Sequence, residues 1–239
     1  MTSASGLQHR AHLAEVLSST RLVVFDMDGT LYRQEVVRAH MARMLATHLL
    51  WSSRGRRKIR IIRRFRQVRE ALADREERGI LLKQYAMVSE ELGVGIDEVR
   101  QVTTEWLEER PLPVLARAAQ PAVRALFDAL MAAGLRIAVL SDYPAREKLA
   151  ALGLSAEMVV SATETDVDCF KPLTAGLEKI IGAADERPER VLMIGDRDER
   201  DGECARRAGA RYLIKVKTDP HSPEEVQHFG ELVAALGRA

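Results

Sequence analysis

The stretch that decides the fold is LVVFDMDGTL, residues 22–31. Four apolar residues, two of them β-branched valines, precede two carboxylates, a glycine and a hydroxyl. This run predicts a buried parallel strand, because it is too short to show the periodicity of a helix. Parallel strands place ligand sites at their carboxyl ends. Asp26 and Asp28 are therefore predicted to stand at the edge of a sheet, where Gly29 allows a tight turn.

Two further apolar segments also end in polar side chains. RIAVLSD, residues 136–142, ends in the hydroxyl of Ser141 and the carboxylate of Asp142. VLMIGD, residues 191–196, ends in the carboxylate of Asp196. Because the carboxyl ends of parallel strands meet at one edge of a sheet, these polar groups are predicted to converge.

Two more features complete the pattern. Lys171-Pro172 lies between the second and third apolar segments, and its proline fits the first turn of a helix. Asp201 lies five residues after Asp196. Each feature alone has a structural explanation as a turn, a helix cap or a solvated loop charge. Their order, with three of them directly after apolar strands, favours one shared site instead.

In this order the motifs resemble those of the haloacid dehalogenase-like (HAD) hydrolase superfamily. The matching residues are Asp26, Asp28, Gly29 and Thr30 in the first motif, Ser141 in the second, Lys171 in the third, and Gly195, Asp196 and Asp201 in the fourth. The resemblance implies an α/β fold, in which a Rossmann-like parallel sheet carries helices on both faces and an α-helical cap is inserted. This capped subclass includes phosphoglycolate phosphatases and β-phosphoglucomutases.

The resemblance also implies a chemistry. Asp26 would attack the phosphorus of a phosphate ester and form an aspartyl-phosphate. Asp28 would protonate the leaving oxygen and then take a proton from water, which requires a pKa raised toward neutrality. Dehalogenases of the family typically lack this second aspartate, so Asp28 argues against dehalogenation. The implied substrate-binding residues of the core are Thr30, Ser141, Asp142 and Lys171, of which Ser141 and Lys171 also count as catalytic.

The resemblance implies Mg²⁺ as the cofactor, since an ion would relieve the repulsion between the anionic nucleophile and an anionic substrate. The implied ligands are Asp26, Asp28 through its backbone carbonyl, Asp196 and Asp201. Asp201 lies at the spacing of the family, but Asp198 and Glu199 are close in sequence. The sequence leaves open which of these three acids reaches the ion.

Helical patterning replaces the strand signal after the first motif. Four helices are predicted at about 34–51, 56–73, 80–92 and 97–109, with glycines and prolines between them. Strands and helices alternate again from residue 136, and a helix over about 223–236 closes the chain. The predicted domains are an α/β core of residues 1–32 and 118–239 and a cap of residues 33–117.

The predicted cap contains nine basic residues between Arg54 and Arg69, with no acid before Glu70. One interpretation is a cationic lid over an anionic substrate, or a surface for nucleic acid. The other, which we favour for most of these residues, is a solvated helix face around one apolar stripe. Arg57 and Arg64 flank the stripe and are the cap's candidates for substrate binding. The stripe consists of Ile61, Phe65, Val68 and Leu72.

Composition sets outer limits on function. With 36 basic and 35 acidic residues the net charge is +1, so binding to nucleic acid is not expected. Two cysteines are too few for a disulfide framework, residues 1–20 lack the apolar centre of a signal peptide, and no apolar window is long enough to span a membrane. We therefore expect a cytoplasmic protein, a monomer or homodimer, whose partner is a small phosphorylated metabolite.

Three functions remain open at this stage. The first is a Mg²⁺-dependent phosphatase acting on a small phosphomonoester. The second is a phosphomutase, which would return the phosphoryl group to a sugar. The third is a binding protein that keeps the fold and uses the arginine-rich cap to hold a nucleic acid or protein.

Overall fold

The computed structural model describes residues 4–49 and 52–237. Six strands form one sheet in which every pairing is parallel. Their bounds are β1 Leu22–Phe25, β2 Arg136–Ser141, β3 Met158–Ser161, β4 Val191–Gly195, β5 Arg211–Lys215 and β6 Glu225–Val226. The order across the sheet is β3-β2-β1-β4-β5-β6, so the strand that carries the first motif lies between those that carry the second and fourth.

Helices precede, interrupt and follow these strands. Their bounds are α1 Ala4–Ser18, α2 Gln34–Leu49, α3 Ser53–Asp74, α4 Ile80–Leu92, α5 Ile96–Thr103, α6 Leu112–Ala118, α7 Val123–Ala132, α8 Arg146–Ala151, α9 Ala175–Ala184, α10 Glu203–Arg207 and α11 Phe229–Leu236. A π-helical segment, Thr104–Glu109, continues α5, another, Asp198–Gly202, precedes α10, and a 3-10 turn spans Pro188–Arg190. In the described ranges no helix combines the length and apolar character needed to cross a membrane.

Side chains alternate between the two faces of the sheet, and both faces are buried against helices. Val23 and Phe25 of β1 belong to a core cluster that includes residues of α1, α7 and α11. Leu22 and Val24 belong to the opposite cluster, with residues of α9 and α10. Phe25 stacks on Phe127 with ring centroids 4.9 Å apart. The predicted α/β fold, with helices on both faces of a parallel sheet, is confirmed.

Helices α2 to α6 form a helical layer inserted between β1 and β2. Ser52 caps the long helix α3, because its hydroxyl accepts the backbone N–H of Gly55 at 2.9 Å and so satisfies a backbone donor of the first turn. The predicted stripe of α3 is buried. Tyr32 forms an antiparallel backbone bridge with Ala119. The segments that lead into and out of the inserted helices therefore run side by side. This crossing lies at the predicted domain boundaries, which stay a prediction.

Several predicted boundaries differ from the observed elements. The prediction of a closing helix over 223–236 is wrong in its first half. Residues Glu225–Val226 form strand β6 beside β5. Helix α11 begins only at Phe229, where His228 and Glu231 form a capping box. Helix α6 was not predicted, because Pro111 and Pro113 resembled breaks, although proline is tolerated in the first turn. The predicted helix 34–51 is observed to Leu49, and residues 50 and 51 lie outside the described part of the chain.

Candidate active site

Three carboxylates converge at the carboxyl edge of the sheet. Oxygen atoms of Asp26, Asp196 and Asp201 lie within 4.8 Å of one another. Glycines make the approach possible: a Cβ on Gly29, whose φ is +109°, would lie 2.1 Å from an oxygen of Asp196. A Cβ on Gly195 would lie 2.2 Å from the carboxyl carbon of Asp201. Hard carboxylate oxygens that meet in this way fit Mg²⁺, which prefers oxygen ligands.

Lys171 lies among these acids. Its ammonium donates hydrogen bonds to Asp26 and, at 2.6 Å, to Asp201, and only 4 % of the residue's surface is exposed. The backbone N–H of Lys171 donates to Oδ1 of Asp142 at 3.1 Å, which fixes the loop that carries the lysine. Although burial lowers the pKa of the Lys171 ammonium, the carboxylates of Asp201 and Asp26 outweigh it and raise that pKa well above its usual value. Lys171 is therefore a fixed positive charge beside Asp26.

One lysine does not offset the whole acid cluster. Burial, with the charges of Asp201 and Asp196, raises the pKa of Asp26 well above its usual value against the opposing effect of Lys171. Burial and the charge of Asp201 raise the pKa of Asp196 to about 6. Carboxylates forced together in this way gain stability from a further cation. The residues therefore fit the divalent metal that the motifs imply.

The structure separates the three acids that the sequence left open. Asp201 lies in the cluster, where its Oδ2 accepts the backbone N–H groups of Asp196 at 3.2 Å and Arg197 at 3.1 Å. Asp198 is exposed and pairs with Arg206 at 2.9 Å. Glu199 is also exposed and pairs with Arg197 at 2.9 Å. Of the three, only Asp201 is placed to share an ion with Asp26.

Asp28 lies in a different electrostatic environment from Asp26. The ammonium of Lys148 donates to both of its oxygens, at 2.7 and 3.1 Å, and the hydroxyl of Tyr32 donates to one of them. Burial raises the pKa of Asp28, but the charge and hydrogen bonds of Lys148, with smaller contributions from Tyr32 and Arg69, hold it below its usual value. The expectation of a raised pKa was wrong for this geometry, because Lys148 was not foreseen as a partner.

The other predicted core residues take two kinds of position. Asp142 lines the cavity beside the acid cluster. Thr30 is fully buried and donates to Oδ2 of Asp26 at 3.0 Å, so it contacts the predicted nucleophile and not the cavity. Ser141 is also fully buried, and its Oγ accepts the backbone N–H of Tyr143 at 3.2 Å. Thr30 and Ser141 therefore lie behind the residues that line the cavity, and the structure does not place these two predicted substrate-binding residues on its surface.

A cavity of about 530 Å³ lies between the sheet edge and the cap. The cap supplies apolar residues, among them Met41 and Leu107, and arginines from α2 and α3. The expectation that Arg57 and Arg64 reach inward is corrected by their positions, because neither lines this cavity. Arg57 pairs with Glu98 at 2.6 Å and Arg64 with Glu91. The cap arginines that do line the cavity are Arg38, Arg66 and Arg69.

Three residues of the site were missed by sequence reasoning. Lys148, in the helix after Ser141, turns back toward the sheet edge, and no motif marks it. Tyr32 directly follows the first motif. Arg69 lies four residues after Phe65, and that spacing places it beside the buried stripe of α3. Of these three residues, only Arg69 is indicated by a pattern in the sequence, namely its spacing from Phe65.

The sequence matches the family model of haloacid dehalogenase-like hydrolases over residues 20–209. This range covers all four motifs and most of the chain. The protein therefore belongs to the haloacid dehalogenase-like hydrolase family. No protein of curated function matches the sequence significantly.

Solved structures with the same fold are named for several different activities. The 2-haloacid dehalogenase from Pseudomonas syringae pv. Tomato DC3000 is 20 % identical, with a TM-score of 0.62 over 92 % of this chain and 99 % of its own. A predicted phosphoglycolate phosphatase from Haemophilus somnus 129pt is 16 % identical, with a TM-score of 0.57 over 90 % and 97 %. A candidate β-phosphoglucomutase from Thermotoga maritima is 18 % identical, with a TM-score of 0.60 over 92 % and 100 %. At these identities the likeness shows the fold alone.

Proposed function

We propose that this protein is a Mg²⁺-dependent phosphatase that hydrolyses a small phosphomonoester through an aspartyl-phosphate on Asp26. The observation that carries the proposal is the position of Asp28, in the cavity and two residues after the predicted nucleophile. A phosphate ester has a leaving oxygen that must gain a proton, whereas a halide leaving group needs none. A proton-transferring residue at this place therefore favours phosphate chemistry over dehalogenation.

Asp26 would act as the nucleophile. Thr30 and Lys171 donate to different oxygens of its carboxylate, so these two hydrogen bonds fix its orientation. The ammonium of Lys171 would also offset the charge of the transferring phosphoryl group. Bound Mg²⁺, held by Asp26, the backbone carbonyl of Asp28, Asp196 and Asp201, would supply further positive charge beside the phosphate and reduce the repulsion between anions.

Asp28 would act as the general acid and base. In the observed geometry its contacts with Lys148 and Tyr32 favour the carboxylate, which is the form needed to take a proton from water. The earlier step requires a protonated Asp28. That step therefore depends on substrate entry weakening the contact with Lys148, whose ammonium could then pair with an anionic group of the substrate.

Phosphate release tests this proposal. Purified protein is incubated with a panel of phosphomonoesters in Mg²⁺ or in EDTA, beside Asp26→Asn, and with 2-chloropropionate to detect chloride release. We expect phosphate release that needs Mg²⁺ and is absent in the variant. Chloride release without phosphate release would overturn the proposal in favour of dehalogenation. Accumulation of an isomerised sugar phosphate in place of free phosphate would overturn it in favour of a mutase.

A further inference from the structure

The cavity carries more positive charge than a simple phosphomonoester needs. Eight basic and six acidic side chains line it, and a bound Mg²⁺ would add two further charges. A phosphomonoester dianion would therefore leave the cavity with an excess of positive charge. Such an excess favours a ligand that brings a second anionic group.

Most of the basic residues are already occupied by carboxylates. Lys148 pairs with Asp28, and Lys171 pairs with two acids of the cluster. Arg197 and Arg200 contact Glu70 at 3.3 and 3.6 Å, and Lys217 contacts Glu35 at 3.6 Å. The cavity cations without a salt bridge to any described residue are Arg38, Arg66 and Arg69. An additional anion would be expected to bind among these three arginines.

Arg69 differs from the other two arginines in its burial. Arg38 and Arg66 are exposed, whereas only 6 % of Arg69 is exposed. A guanidinium group at such a depth is almost always paired with an acid. Here its Nη2 donates to the backbone carbonyl of Asp142 at 2.6 Å, and no carboxylate of the described chain forms a salt bridge with it. A buried guanidinium that lines a cavity and forms no salt bridge with the described residues indicates a binding position for an anion.

Aromatic rings hold Arg69 in place. Its guanidinium carbon lies 3.2 Å from the ring centroid of Tyr143 and 4.5 Å from that of Phe170. Stacking of this kind orients the planar group while leaving its edge free to donate hydrogen bonds. The side chain is therefore preorganised, and an incoming anion does not have to restrict a flexible arginine.

Arg69 is also connected to the predicted reaction centre. The carbonyl that it contacts belongs to Asp142, whose carboxylate accepts the backbone N–H of Lys171. Lys171 in turn contacts the predicted nucleophile. A small molecule with its phosphate at Asp26 can therefore present a second group to Arg69 within the same cavity of about 530 Å³.

We propose that Arg69 binds a second anionic group of the substrate, so that the enzyme selects small phosphomonoesters that also carry a carboxylate or a second phosphate. This inference rests on the proposed phosphatase activity. The competing explanation is that Arg69 only joins the cap to the core through Asp142 and Tyr143. A joining role would affect all substrates alike, whereas an anion-binding role affects only those that carry the second group.

Matched pairs of substrates separate these explanations. 3-Phosphoglycerate is compared with glycerol 3-phosphate, which differs by a hydroxymethyl group in place of the carboxylate. Fructose 1,6-bisphosphate is compared with fructose 6-phosphate. We expect the more anionic member of at least one pair to have the higher kcat/KM, by about 10- to 100-fold, the effect of one charge-assisted hydrogen-bonded contact. The pair that shows the preference identifies the second group as a carboxylate or a phosphate.

Variants then assign the preference to Arg69. Arg69→Gln should lower the ratio of the two kcat/KM values within the pair by about 10- to 100-fold, whatever its effect on the less anionic ester, and Arg69→Lys should restore part of that ratio. Arg64→Gln, on the same helix but outside the cavity, serves as the control and should keep the preference. Thermal unfolding of each variant verifies that it folds.

The outcomes are distinct for the two proposals. Equal kcat/KM within both pairs for the wild-type protein overturns the role of Arg69 without any variant, provided that p-nitrophenyl phosphate is hydrolysed. An equal loss on both members of a pair in Arg69→Gln also overturns it and favours a joining role. No hydrolysis of any ester, including p-nitrophenyl phosphate, would instead contradict the phosphatase activity itself.

Discussion

The two walls of the cavity are built in different ways. On the sheet side, the charges are paired and buried: Lys171 contacts Asp26 and Asp201, and Lys148 contacts Asp28. On the cap side, Arg69 of α3 is buried without a carboxylate partner. A wall whose charged side chains hold one another in fixed positions suits a reaction that is common to many substrates. A wall with an unpaired charge suits the recognition of one class of substrate.

The largest effect is expected on the sheet side. Asp26→Asn should lower kcat by at least about 10⁴-fold, because it removes the nucleophile and a carboxylate of the acid cluster. The measurement is the initial rate of phosphate release in Mg²⁺. Asp198→Asn is the matched control, since Asp198 is an exposed acid of the loop after β4 that pairs with Arg206 outside the cluster. A similar loss in both variants would contradict the assignment of the cluster.

The second largest effect is expected from the loss of Lys148, also on the sheet side of the cavity. Lys148→Met should lower kcat by about 100-fold, a typical contribution of acid–base catalysis, because Asp28 loses the partner that keeps it ionised for the step in which it takes a proton from water. Lys148→Arg should retain more activity, since it keeps the charge. The pH dependence of kcat should also change in Lys148→Met, with the group that titrates as Asp28 moving to higher pKa. An unchanged pH profile would show that Lys148 does not act through Asp28.

A pH titration of metal activation tests the charge balance of the acid cluster. Because the pKa of Asp196 is raised to about 6 without metal, protons should compete with Mg²⁺ below that pH. The Mg²⁺ concentration for half-maximal activity should rise by up to about tenfold for each pH unit below about 6, and should change little above about pH 7. A requirement for Mg²⁺ that is the same at about pH 5 and about pH 7 would contradict this arrangement.

The smallest effects are expected on the outer face of the cap. Arg57→Gln and Arg64→Gln should change kcat/KM by less than about twofold and unfolding free energy by about 0 to 1 kcal/mol, since each removes one surface ion pair. Activity assays and thermal unfolding measure both quantities. A large loss of activity in either variant would indicate that the arginine contacts the substrate. It would also contradict the distinction between the two faces of α3.

The sequence predicted the sheet wall far better than the cap wall. The polar residues of the sheet wall follow apolar strands, so topology alone brings Asp26, Asp142 and Asp196 to one edge. The position of a cap arginine depends instead on which side of a helix faces the core. Arg64 and Arg69 differ by little more than one helical turn, yet Arg64 pairs with Glu91 outside the cavity and Arg69 lines it.

Contacts between separate elements explain most of the remaining differences. Lys148 and Asp28 are 120 residues apart in the sequence, so no local pattern indicates their contact or the lowered pKa of Asp28. Strand β6 has only two residues and is recognised by its pairing with β5, which the sequence of residues 223–236 does not reveal. Local patterns identified the main strands and most of the cap helices, because apolar periodicity and glycine breaks are themselves local.

Asp26 should carry the phosphoryl group during turnover, and trapping of that intermediate is the sharpest test of the proposed mechanism. The protein is mixed with Mg²⁺ and a phosphomonoester that it hydrolyses, quenched in acid within one turnover, digested and analysed by mass spectrometry. We expect one added phosphoryl group on the peptide that contains Asp26, which hydroxylamine removes and which is absent in Asp26→Asn. Phosphate release with no phosphorylated peptide, or with the phosphoryl group on another residue, would contradict it.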